Sequence, residues 1–193
     1  MLKDKLKNFS LVLASGSPRR QQFFKDLDMD FSIRVIEIEE IFPPDLKREE
    51  ITNYLAMLKA SAHLKSIQEN EIVVTSDTIV WHNKEALGKP KNYDDAFQML
   101  KKLSNTTHEV VTSVCFFTTQ SRNILHDVTE VTFKELTDEM IHYYIENYKP
   151  YDKAGAYGIQ EWIGFIGVQS VKGSYANVMG LPTHKVFAYL NGL

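Results

Sequence analysis

Apolar positions along the chain change period several times, and each change marks an element. Leu11 to Ala14 is a short unbroken apolar run, the pattern of a buried strand, and Ser15-Gly16-Ser17-Pro18 interrupts it. Phe23, Phe24 and Leu27 then recur at helical spacing, so the opening reads strand, turn, helix. Phe31, Ile33 and Val35 alternate as in a half-buried strand and lead into the acidic segment Glu37-Ile38-Glu39-Glu40 and the breaker Pro43-Pro44. From about Arg48 to Ile67, apolar residues at Ile51, Tyr54, Leu55, Leu58 and Ala62 keep a period near 3.6 and predict a long amphipathic helix that includes Lys59. Ile72 to Thr75 reads as a strand buried on both faces, which delivers Ser76-Asp77-Thr78 at or near its end, with Ile79, Val80 and Trp81 placed to continue it.

His82-Asn83-Lys84 predicts a turn, Gly88 to Lys91 a loop, and Asp94 or Asp95 the start of a helix carrying Ala96, Phe97, Leu100 and Leu103. Two long β segments follow, about Glu109 to Phe117 and Ile124 to Leu136, joined by a polar turn. Thr137 is placed to cap a helix with Ile141, Tyr144, Ile145 and Tyr148, ended by Pro150. After the glycine-rich stretch Tyr151 to Gly167, a strand around Phe165 to Val171 is expected to pair with Ser174 to Met179. Gly180-Leu181-Pro182 then introduces a closing helix to Leu190. Helices and strands alternate early and strands dominate later, so the expectation is an α/β fold with a mixed sheet and a cleft. With no repeat, linker or low-complexity tract to divide it, the chain reads as one domain over 1–193.

Composition narrows the function classes. A net charge of −3 lacks the basic surface that general nucleic-acid binders use to neutralise many phosphates, which argues against a long DNA or RNA partner. The single cysteine, Cys115, cannot form an internal disulfide and reads as a small buried hydrophobe. The charged N-terminus followed by a short apolar run is no signal peptide, and no stretch approaches the roughly 18 apolar residues of a membrane span. A soluble cytoplasmic protein with no membrane partner is expected.

The strongest local signal is Ser15-Gly16-Ser17-Pro18-Arg19-Arg20, where Ser17 suits an N-cap and Pro18 the first helical residue. Arginines in a first turn face the positive end of the helix dipole, a misplacement of roughly 0.3 to 1 kcal/mol each, which an anion would offset. A phosphate chain would do so through backbone N–H groups and two guanidinium forks; the alternative is that both arginines project into water. Removing either is therefore expected to leave the ligand-free protein as stable as before, or slightly more so.

Asp77, delivered by a buried strand, suits a metal ligand or a general base, and equally a turn cap at a strand end. Glu37, Glu39 and Glu40 read alternatively as a solvated loop, and Lys59 and Lys89 alone as surface charge. The glycines lack dinucleotide spacing, no Walker-type phosphate loop occurs, and the histidines lack paired zinc spacing.

Taken together, Leu13 to Arg20 resembles the opening signature of the Maf family of nucleotide pyrophosphatases. Glu39-Glu40, Leu58-Lys59-Ala60, Ser76 to Val80, Gly88-Lys89-Pro90, His108 to Thr112, Asp152 to Gln160 and Gly173 to Pro182 continue the likeness in order. Two positions depart from the family pattern: Lys149 where a glutamate is usual, and Glu161 where a glycine is usual.

The resemblance implies a two-lobed α/β fold with a central cleft, a homodimer, and Mg²⁺- or Mn²⁺-dependent hydrolysis of a nucleoside triphosphate to monophosphate and diphosphate. The opening motif and Ala154 to Gln160 look like the branch that acts on dTTP and UTP. Carried over residue by residue, Ser15, Arg19, Arg20, Lys59 and Lys89 would bind phosphate, and Glu40 and Asp77 would hold the metal, with Asp77 as general base. Gln160, with Thr78 and Arg19, would select the base. Two rivals share these features: a non-catalytic nucleotide sensor and a purine pyrophosphatase.

Overall fold

The computed structural model describes residues 2–193. In chain order the elements are α1 (Leu2–Lys5), β1 (Ser10–Leu13), α2 (Pro18–Asp26), β2 (Phe31–Ile33), α3 (Glu49–Ser61), β3 (Glu71–His82), β4 (Glu85–Leu87) and α4 (Tyr93–Leu103). They continue with β5 (Thr107–Phe117), β6 (Arg122–Phe133), α5 (Asp138–Tyr148), a 3₁₀ turn (Ala154–Ala156), α6 (Trp162–Gly167), β7 (Val168–Lys172), α7 (Tyr175–Val178) and α8 (Thr183–Asn191). The strands form one mixed sheet ordered β2-β1-β3-β5-β6-β7, with β4 beside β3. β1 is parallel to β2 and β3, whereas β3–β4 and β6–β7 are antiparallel. The expected α/β class with a mixed sheet is the class observed.

The chain divides into two compact units: Met1–Asp77, Thr112–Asp127 and Gly180–Leu193 in the first, Thr78–Val111 and Val128–Met179 in the second. In the first, β1 and β3 are buried on both faces, which is why their sequences read as continuous apolar runs. The two-residue side-chain period sorts them. Leu11, Leu13, Ile72 and Val74 join Phe24 of α2 and Val186 and Leu190 of α8 in one cluster. Val12 and Val73 pack with Ala56 and Ala60 of α3 in another. No helix among the described residues is long and apolar enough to cross a membrane.

Several boundaries differ from expectation for local reasons. The third helix ends at Ser61 because His63 N–H turns back to Ala60 O at 3.0 Å and Leu64 N–H to Ser61 O at 3.2 Å, the tightened bonding of a helix end. β2 ends at Ile33, before Val35: Arg34 N–H still donates to Leu13 O at 3.3 Å, and its guanidinium binds Glu71 at 3.1 and 2.7 Å. α4 opens at Tyr93, one residue before Asp94, and Asn92 caps it: its side chain accepts from Asp95 N–H at 2.9 Å, and the Asp95 carboxylate accepts from Lys91 N–H at 2.9 Å. Thr137 caps α5 as expected, accepting from Met140 N–H at 3.3 Å. The turn after His82 forms a hairpin in which Asn83 and Lys84 take φ of 49° and 65°, and the strand beyond it, β4, was not anticipated.

The pairing expected between Phe165–Val171 and Ser174–Met179 is overturned. Phe165 lies in α6, β7 begins at Val168 and pairs with β6, and Ser174 caps α7, accepting from Asn177 N–H at 3.3 Å. Asn177 turns inward to donate to Val110 O and Thr129 Oγ1, both at 3.0 Å, a buried polar anchor that a strand would have split from the cap. Gly164 permits α6 where it lies, since a Cβ there would stand 1.9 Å from the Ile159 carbonyl oxygen.

The second unit packs α4 and α5 against Val80, Leu87, Val110, Val131 and Phe133. His108 is enclosed with Phe133 and Tyr157, and its Nε2 lies 2.8 Å from Tyr157 Oη. Its Nδ1 is buried with no hydrogen-bond partner, and burial, aided by nearby His82, holds its pKa down to about 3. The unfolded imidazole titrates near 6.5, so His108 contributes stability above that pH that is lost as pH falls toward the folded value. At pH 5 the loss is about 2 kcal/mol. A denaturant series between pH 7 and pH 5 is expected to show this fall in the wild type and a flatter profile in His108→Gln; parallel profiles would contradict the assignment.

Candidate active site

In the first unit the two-residue period of β3 carries Val73, Thr75 and Asp77 to the α3 face. Thr75 Oγ1 donates to Ala56 O at 2.6 Å, and one turn further along the helix the Lys59 ammonium meets Asp77 Oδ1 at 2.6 Å. The same ammonium lies 3.2 Å from Glu40 Oε1, so one cation sits between two carboxylates. Asp77 is 6% exposed, and burial pushes its carboxyl above the usual carboxylate range although Lys59 and Arg20 pull the other way. An ammonium has three donors, so Lys59 can serve both carboxylates and still offer a hydrogen to a phosphate oxygen.

Residues 72, 74 and 76 face the other way, toward α2 and α8. Arg20 on α2 donates from Nε to Gly180 O at 2.8 Å and from Nη1 to Ser76 O at 3.0 Å, and Ser76 Oγ donates to Gly180 O at 3.4 Å. Burial lowers the Arg20 pKa against the pull of Asp77. Arg20 therefore ties the residue before Asp77 to the turn before α8. This argues against the expectation that either arginine can be removed without cost to the ligand-free protein: without Arg20 two carbonyls lose a charged donor.

Ser17 stands at the N-cap and Pro18 opens α2 as expected, but the Ser17 hydroxyl makes no cap bond. The buried Ser15 Oγ instead accepts from Ser17 N–H at 3.3 Å and Arg20 Nη1 at 3.4 Å, and Gln21 Nε2 donates to Ser15 O at 3.3 Å. Arg19 lies half-buried on the same turn.

The first unit thus brings Ser15, Arg20, Lys59, Asp77 and Glu40 into one network. Thr78, Lys89 and Gln160 belong to the second unit. Thr78 follows Asp77 on β3, Lys89 is exposed after β4, and Gln160 is half-buried between Ile159 and Glu161. The carbonyls of Ser76 and Gly180 were missed by sequence reasoning; only the positive φ forced on Gly180, 107°, hints that this turn has a fixed shape.

Glu40 and Asp77 are hard oxygen donors converging on one cation, and a divalent ion suits that donor set. Among the described residues no group of three or more His, Cys, Asp or Glu forms a fuller cage. Two carboxylates with the remaining positions left to phosphate oxygens and water is the arrangement Mg²⁺ commonly adopts in nucleotide sites.

Comparison with known proteins agrees with these motifs. A protein named dTTP/UTP pyrophosphatase from Flavobacterium johnsoniae is 69% identical over the whole of both chains. One of the same name from Flavobacterium psychrophilum is 63% identical over 98% of this chain and 97% of its own. Among solved structures, the Staphylococcus aureus Ham1 protein shares the fold with a TM-score of 0.52 at 16% identity, covering 95% of this chain and 98% of that one. A family model described as Maf-like protein matches residues 10–193, and the chain belongs to that family.

Proposed function

We propose that residues 1–193 act as one nucleotide pyrophosphatase domain that hydrolyses dTTP and UTP between the α and β phosphates. The observation that carries this reading is Asp77: a desolvated carboxylate at the edge of a cationic set, held by Lys59 and with its pKa raised. A phosphate-binding sensor has no use for a carboxylate tuned in this way. The names of relatives at 69% and 63% identity support the same substrates.

In this reading Arg19, Arg20, Lys59 and Lys89 neutralise the triphosphate, with Ser15 fixing the loop beneath it. Asp77 takes a proton from the attacking water, the α–β anhydride breaks, and nucleoside monophosphate and diphosphate leave. A raised pKa brings the base nearer neutral pH, where general base catalysis is most effective. A Mg²⁺ or Mn²⁺ ion held by Glu40 and Asp77 would lower the pKa of bound water and offset phosphate charge. Full turnover in the presence of a metal chelator would remove the ion from the account.

The assembly is read as a homodimer. Ile33, Val35 and Ile41, on and after the terminal strand β2, are 52%, 51% and 63% exposed and would gain from a second copy. A monomer mass by sedimentation would contradict this. The place of action is the cytoplasm, where the nucleotide pool lies.

Gln160, with Thr78 and Arg19, is assigned to the base. A side-chain amide can accept from the N3–H of uracil or thymine and donate to O4, a pairing that typically discriminates by about 1 to 3 kcal/mol. The test compares kcat/KM for dTTP, UTP, CTP and GTP in the wild type and in Gln160→Ala. Preference for dTTP and UTP that collapses in the variant is expected; equal values for all four in the wild type would eliminate the assignment.

A further inference from the structure

The loop that carries Gln160 is pinned on both sides by one buried polar network centred on Glu161. Tyr144, fully buried on α5, donates its hydroxyl to Glu161 Oε2 and accepts from Gly158 N–H at 3.0 Å. Glu161 Oε1 lies 3.1 Å from Lys153 Nζ, which also donates to Asp152 Oδ1 at 2.7 Å. The backbone closes the same segment, since Glu161 N–H donates to Gly158 O at 3.0 Å.

Glu161 is at the N-cap of α6, yet its carboxylate makes no cap bond and turns instead beneath the loop. The fit is close: a Cβ on Gly158 would stand 2.8 Å from Glu161 Cδ and 3.1 Å from Lys153 Cε. Burial and the neighbouring carboxylate push the Tyr144 phenol far above its ordinary value, so it remains a donor. Each oxygen of the Glu161 carboxylate thereby has a partner within the unit. Ile159 and Gln160 span the two residues, Gly158 and Glu161, that this network holds.

Resting on the reading of Gln160 above, we infer that Glu161 is a positioning residue for base selection: with Tyr144 and Lys153 it fixes the Gly158–Gln160 backbone and so holds the Gln160 amide in one place among its neighbours. The need for such a device is chemical. A glutamine free to flip can accept from the cytosine amino group and donate to its N3 as readily as it serves uracil. A backbone held at both flanks presents the amide to one constant set of neighbouring groups, which then favours one of its two flips and leaves cytosine facing unpaired polar atoms.

The test measures kcat and KM for UTP and CTP in the wild type, Glu161→Ala and Glu161→Gln, with thermal unfolding as the control for folding. In Glu161→Ala the UTP-to-CTP ratio of kcat/KM is expected to fall about tenfold, mainly through KM, with kcat for UTP within about twofold of the wild type. Glu161→Gln keeps an oxygen for Tyr144 and is expected to fall between the two; it supplies the ratio if the alanine variant does not fold. An unchanged ratio in a folded variant overturns the inference, as does an equal fall in kcat for both nucleotides with the ratio preserved. A wild type that does not discriminate at all instead overturns the assignment of Gln160 and removes the reason for the inference.

Discussion

Replacing Asp77 by Asn is expected to lower kcat by about 10²-fold or more while leaving the fold and melting temperature intact, because a positioned general base typically contributes at least that factor. Asparagine keeps the shape and an oxygen for the Lys59 ammonium, which stands 2.6 Å from Asp77 Oδ1 and retains Glu40 as a second partner. The sign of the stability effect follows from the raised pKa. A carboxyl whose folded pKa lies above its unfolded value is most favourable to folding when protonated, and that contribution is lost as pH rises through the folded pKa. At neutral pH the neutral amide therefore replaces a charge that burial disfavours, and no loss of stability is expected. The wild-type rate should fall on the acid side through a pKa above the usual carboxylate range. Near-normal turnover in a folded Asp77→Asn protein would make Asp77 structural and end the proposed mechanism.

The two adjacent arginines are expected to behave oppositely. Arg20→Ala removes the donor to the Ser76 and Gly180 carbonyls, at a cost of about 3 kcal/mol, since hydrogen bonds to charged groups contribute roughly 1.5 to 3 kcal/mol each. For a chain of this length that lowers the melting temperature by about 6 to 12 °C. Turnover should fall too, because Ser76 adjoins Asp77. Arg19→Ala relieves a like-charge clash with the start of α2 and should leave the ligand-free protein as stable or slightly more so, while raising KM for the triphosphate. Thermal unfolding of the two variants without nucleotide decides the matter. An unchanged melting temperature for Arg20→Ala would show that the strut has no energetic weight, and a clear loss for Arg19→Ala would show that it too is an internal anchor.

What was legible in the sequence follows from the range of the forces involved. β1 and β3 are buried on both faces, so their apolar runs were visible directly, with Asp77 on the second; its meeting with Lys59 of α3 was apparent only in the fold. Thr137 announced α5 because capping is settled within three residues. The pairing of Arg20 with Gly180 spans 160 positions and uses backbone carbonyls, which no side-chain pattern records. For the same reason the arginine pair read as an anion site or as solvated charge, when one of its members also braces the fold. α6 and α7 were missed because each is short, and each is fixed by a contact remote in sequence: the Ile159 carbonyl against Gly164 in one, the bond from Asn177 to Val110 in the other. Glu161 could be singled out in the sequence, but its partners Tyr144 and Lys153 became apparent only once α5 and the loop were folded together.

The most direct test of the central claim is to identify the products released from UTP and from dTTP by the purified protein with Mg²⁺ or Mn²⁺. The account predicts nucleoside monophosphate and diphosphate in equal amounts, with no nucleoside diphosphate formed on the way. Release of nucleoside diphosphate and orthophosphate would place the cut at the outer anhydride and contradict it.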